Sequence, residues 1–203
     1  MASLTTRVSV YLVSISVIGL GVAAMVEAEL GVAPNDVLNT GISDTFGIGV
    51  GTAAWITGVV AMAIAWALGR RPRVATVLGS VIVGFSINGG LALFPSPDAL
   101  VPRAGLLVLG LLVVWAGITG VVATDVGAGP LELVMLSFMD RGMGIRWVRW
   151  GIELTLLLLG LALGGAAGLG TVVFAFGTGP VLAVTLPWAA TRLGTHLTQA
   201  AAI

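Results

Sequence analysis

The chain contains the same segment twice. Glu29-Leu-Gly31-Val-Ala-Pro34-Asn-Asp36 returns as Asp125-Val-Gly127-Ala-Gly-Pro130-Leu-Glu132, with Gly, Pro and both acids in place at an offset of 96 residues. The same offset pairs Arg7 with Arg103 and Asp44 with Asp140. After a one-residue deletion, Trp55 pairs with Trp150, Leu68-Gly69 with Leu163-Gly164, and Thr76-Val77 with Thr171-Val172. An internal duplication of this length sets the architecture before any single residue is considered.

What each copy is made of decides its surroundings. Charged residues are 9% of the chain and hydrophobic ones 58%, with a mean hydropathy of +1.11. A soluble domain carries nearer a quarter charged residues, because it needs a solvated face. This chain is expected to be solvated by lipid. A span of about 20 apolar residues matches the hydrocarbon thickness of a bilayer, and six such spans are predicted, at about 8–28, 48–69, 73–94, 104–124, 147–166 and 169–190. The expected fold is therefore an all-α membrane protein with one transmembrane domain over residues 1–203. Repeat 1 covers about 5–95, repeat 2 about 101–190, and a C-terminal tail 191–203. Three spans per copy is an odd number, so the second copy is expected upside down relative to the first, as in many transporters.

Arginine placement gives an independent orientation. With the N-terminus inside, eight of the nine Arg fall in cytoplasmic segments and only Arg103 outside. Cytoplasmic loops carry the basic excess, so both termini are expected in the cytoplasm of a bacterium, in a multi-pass protein of the plasma (inner) membrane. The first apolar stretch has no small-residue cleavage site after it and is read as a retained helix.

Between the first and second spans of each copy lies a segment too polar to span and too apolar for an ordinary loop. Pro is tolerated at the first helical position, so Pro34 and Pro130 should each start a short helix, reaching about Asp44 and Asp140. Gly47 and Gly142, each followed two residues later by another Gly, should end them. Paired broken segments in two inverted halves point to a substrate site. Asp36 and Glu132 lie in the first turns, where two readings stand: caps that complement the helix dipole, or substrate contacts. Asn35, Asn39 and Asn88 join them as candidate contacts. Glu153 is the one acid within a span, four residues after Arg149; it reads equally as a proton or substrate contact and as a simple i, i+4 pair. Asp44 and Asp140 sit at helix C-termini, where the dipole disfavours an anion. They are expected to pair with Arg103 and Arg7 respectively, each pair tying a short helix of one repeat to the first span of the other. Glu27 and Glu29 read as a solvated helix end. Pro180 is expected to kink or break the sixth span, and Gly84 to bend the third. Trp115, Trp147, Trp150 and Trp188 are assigned to the interfacial belt. Scattered Ser and Thr within the spans read as helix glue.

Several chemistries lack a footprint. There is no Cys, so thiolate and disulfide chemistry are out, and no basic run that would bind nucleic acid. No metal-ligand spacing or nucleophile–base pattern is present. The single His196 lies in the tail. An enzyme is not expected, nor a cofactor.

The hinge residues Gly31-x-x-Pro34-Asn-Asp36-Val37-Leu38, Gly41-x-Ser43 and Gly47-x-Gly49, with Ala75-Thr76 and Gly170-Thr171, resemble the YczE/YitT-type group of small bacterial integral membrane proteins, most without assigned function. The resemblance implies a multi-span inner-membrane protein and no particular substrate. Two functions compete on the residues themselves. One is a secondary transporter or exporter of a small neutral or weakly polar molecule, working by one repeat rocking against the other. The other is an accessory or regulatory protein that docks a partner in the bilayer. The lipid bilayer is the expected partner; a homo-oligomer is compatible with either reading.

Overall fold

A computed structural model describes residues 2–195; His196 and the rest of the tail lie outside it. The described residues form eight helices: α1 Leu4–Ala28, α2 Pro34–Phe46, α3 Val50–Ala67, α4 Val74–Leu93, α5 Leu100–Thr124, α6 Pro130–Met139, α7 Ile145–Ala162 and α8 Leu169–Leu193. Five of them, α1, α3, α4, α5 and α8, are long and apolar enough to cross a membrane. The sixth expected span, α7, is as long as α3 but carries Arg146, Arg149 and Glu153 in its first half. Those charges are costly in hydrocarbon unless paired or facing protein or water.

The core is an antiparallel pair. Arg7, near the start of α1, donates to Thr124 O at the end of α5, and Arg103, near the start of α5, donates to Ala28 O at the end of α1. The two helices approach closely because Gly21 and Gly110 face each other; a methyl group on Gly110 would lie 2.6 Å from Met25. Val22, Met25, Leu107, Leu111 and Val114 fill the seam. Helix α4 packs on α1, and α8 on α5.

The short helices lie inside this frame. Pro starts each of them without losing a needed N–H, and Asp36 and Glu132 occupy their first turns. Gly47, at φ 65°, closes α2, and Gly142, at φ 83°, follows the end of α6. Pro130 sits against Gly58, midway along α3, while Asp140 at the other end pairs with Arg70 just past the end of α3. Helix α6 therefore begins at mid-height and runs out beside the second half of α3. Helix α2 follows α7 in the same manner: Gly41 and Val37 press on Gly160, and Thr45 reaches Leu163. The two run in opposite directions, α6 towards the end of the molecule bearing Arg70 and Arg7, α2 towards the end bearing Arg103.

The helices that carry Pro180 and Gly84 are both continuous. Helix α8 runs unbroken from Leu169 to Leu193 with Pro180 and Pro187 inside it. Within a bundle, neighbouring side chains and local adjustment compensate the lost bond. Gly84 sits within an unbroken α4 and makes room for the Trp55 indole, which donates to Val81 O at 3.1 Å.

Candidate functional site

The chain turns back on itself to reach each proline. After α1, Val32 N–H donates to Ala166 O at 3.1 Å and Gly170 N–H to Leu30 O at 2.8 Å, so residues 30–32 lie against the loop that precedes α8. After α5, Thr76 Oγ1 donates to Ala128 O at 2.9 Å and Tyr11 Oη to Ala75 O at 2.7 Å, holding residues 127–129 against the start of α4. Both returns deliver a helix N-terminus to the interior. Non-helical backbone at membrane depth survives only where protein or a cavity surrounds it.

Between the two N-termini is a chamber of about 310 Å³. Its polar wall is Asp36, Asn35 and Asn39 from α2, Glu132 from α6, Thr57 from α3, and Tyr11, Thr76 and Ser80 from α1 and α4. The remainder is apolar, chiefly Ile15, Ile18, Val83, Ile87 and Ile118. No basic side chain lines it. A larger cavity of about 980 Å³ shares Asn35, Asp36, Thr76, Leu131 and Glu132 with the chamber and extends to Arg70, Arg71, Arg73, Arg149 and Glu153. The interior is thus reached from the Arg70 end.

The two acids are held differently. Glu132 Oε2 accepts the Gly129 N–H at 2.7 Å, capping its own helix. Asp36 is 7% exposed and accepts from Asn39 Nδ2 through Oδ1 at 3.0 Å; Thr57 in turn donates to Asn39 Oδ1 at 2.8 Å. Neither acid forms an ion pair among the described residues. Asp36 Oδ2 makes no hydrogen bond there either, yet no fully buried polar side-chain atom lacks a partner, so this oxygen stays open to the chamber.

The structure brings together Asn35, Asp36, Asn39 and Glu132 as expected candidates, and places Glu153 at the wide end, bonded to Arg149 at 2.9 Å. Asn88 is elsewhere: its Oδ1 accepts the Gly51 N–H at 2.9 Å and caps the start of α3. Tyr11, the only Tyr in the chain, is an additional wall residue; a lone phenol buried in an otherwise aliphatic span was the available signal.

The expected cross-repeat ion pairs are corrected. Arg103 takes Glu29, at 3.1 Å, rather than Asp44, and also donates to Ala28 O and Glu29 O. Arg7 takes Asp125, at 3.9 Å, rather than Asp140, and donates to Thr124 O at 2.6 Å. Each Arg closes the end of the other's long helix, where orphan carbonyls need donors. Asp140 instead takes two hydrogen bonds from Arg70, one of 2.7 Å, which hold its carboxyl below the usual carboxylate range. Asp44 is exposed at the end of α2. Glu29 is exposed, as a solvated helix end should be, whereas Glu27 accepts a hydrogen bond from Ser96. Trp115 is no belt residue: its indole donates to Thr178 Oγ1 at 3.0 Å, tying α5 to α8, while Trp147, Trp150 and Trp188 are exposed.

Long apolar helices around an internal chamber define a multi-pass α-helical membrane protein. The chain belongs to a family whose model matches residues 5–187 and which is described as a family of unknown function (DUF6198). It is 28% identical over 187 residues to the uncharacterized membrane protein YczE of Bacillus subtilis (strain 168), covering 91% of this chain and 87% of that protein. It is 29% identical over 176 residues to an uncharacterized protein of Haemophilus influenzae, covering 86% of this chain and 81% of that one. No solved structure matches it.

Proposed function

We propose that this protein is a small-molecule secondary transporter or exporter of the bacterial plasma membrane. In this reading six spans form two inverted three-helix repeats, with α7 as the sixth span and the Arg70 end in the cytoplasm. Support for the inversion comes from the contacts themselves: Arg7–Thr124 and Arg103–Ala28 are the same bond at an offset of 96, and α2 and α6 run in opposite directions. The observation that carries the transport reading is the chamber between two proline-started helix N-termini, each bearing one acid, where inverted-repeat transporters bind their cargo. Cargo enters from the Arg70 end and leaves by the other when the contacts of residues 30–32 with the loop before α8 open.

A substrate-free experiment tests this. The chain has no Cys, so Asn35→Cys, on the wall shared by both cavities, gives a single thiol. In oriented vesicles a membrane-impermeant maleimide should label it from both faces, faster from the Arg70 side. Labelling from one face only would leave no alternating access and remove the proposal.

A further inference from the structure

The electrostatics of the chamber select its cargo. Two carboxylates, Asp36 and Glu132, face a largely aliphatic chamber that has no basic side chain in its wall and opens into the wider cavity. Arg side chains stand in the wider cavity; Arg70 pairs with Asp140 and Arg149 with Glu153, and Arg149 also acts on Glu132 through space. A buried ion without a counter-charge is costly, and Asp36 forms no ion pair among the described residues. The positive helix ends offset part of this, but Glu132 already occupies the Gly129 N–H. Asp36 keeps one oxygen free on a side chain that is 7% exposed. Asp36 therefore calls for positive charge from outside, as a proton or as cargo.

Its walls decide what kind of cation. A hard metal ion needs six or so oxygen ligands, and no group of three or more His, Cys, Asp or Glu capable of holding a metal occurs among the described residues. Ile15, Ile18, Val83, Ile87 and Ile118 instead offer a lining that alkyl or aryl groups fill and hydrated ions do not. An anion meets two carboxylates. Resting on the transport reading above for its movement but not for its binding, we propose that the chamber binds a small amphiphilic organic cation, an amine or quaternary ammonium, between Asp36 and Glu132, in exchange for protons. The carboxylic acids release H⁺ as the cation enters, and take it back as the cation leaves. Other charged groups in range are Tyr11 in the chamber, then Arg149 with Glu153, Asp125, Arg70, Arg71 and Arg73 in the wider cavity.

Equilibrium dialysis of the purified full chain in detergent against benzyltrimethylammonium and benzylsulfonate, which share one aryl frame and differ in charge, tests the site. The cation should bind saturably and the anion should not. Cation affinity should fall about tenfold as pH drops from about 8 to about 5, as the Asp36 carboxyl, raised above the usual carboxylate range by burial, protonates. Asp36→Asn with Glu132→Gln should abolish the pH slope and the cation preference, while Asp36→Glu with Glu132→Asp keeps both. Equal binding of cation and anion, or a flat pH profile, in the unaltered protein overturns the proposal whether or not the neutral variant folds. Cation binding with one-sided maleimide labelling would sink transport and keep the site. Two-sided labelling without cation preference would do the reverse.

Discussion

Arg7 and Arg103 show how a single side chain can close a helix it does not belong to. Glu29 and Asp125, at φ 49° and 51°, are the only non-Gly residues with positive φ among those described, and each ends a long helix. Such conformers are a few per cent of non-Gly residues, held here by an arginine that bonds the last carbonyls. Charged hydrogen bonds contribute about 1.5–3 kcal/mol, so Arg103→Ala should cost about 2 kcal/mol in an unfolding titration, with Arg103→Lys restoring only part. A loss no larger than that of an exposed control such as Arg71→Ala would refute the clamp. The duplication made the two Arg legible as equivalents that reach the opposite repeat. It did not reveal their targets, because a left-handed helix end without Gly has no sequence mark, and the acids of the short helices looked the more needy partners.

At the element scale the deciding contact is between α2 and the end of α7. A methyl group on Gly165 would lie 1.9 Å from Val37 O, and that oxygen belongs to backbone, which cannot swing away. Gly165→Ala should therefore push α2 off its seat and cost about 1–3 kcal/mol. Gly179→Ala in α8, with nothing within 4 Å of the added carbon, should leave stability unchanged or raise it by about 0.5–1 kcal/mol. Comparable effects at both sites would contradict the packing. The short helices were legible to within about two residues, because Pro and Gly act through local backbone geometry. Their depth was not, since it depends on which neighbour each helix lies along.

For the whole molecule, the proposed inverted arrangement makes a mapping prediction. Thr45→Cys, after the bulk of α2, and Met143→Cys, after α6, are exposed and nearly equivalent in the two copies. In sealed vesicles an impermeant reagent should reach one from outside and the other only after permeabilisation. Both responding alike would mean that the copies point the same way. Hydropathy and the odd number of spans per copy are enough to suggest this topology. The chamber is not readable from them, because it arises where two distant segments, about one hundred residues apart, converge.

The long central pair carries a mechanical consequence. Two rods stapled together at both tips can neither slide nor splay, and the Gly21–Gly110 contact leaves no slack at their waist. On the transport reading, helices α1 and α5 would form a stator. A transport stroke would then be taken up by the parts mounted on its flanks.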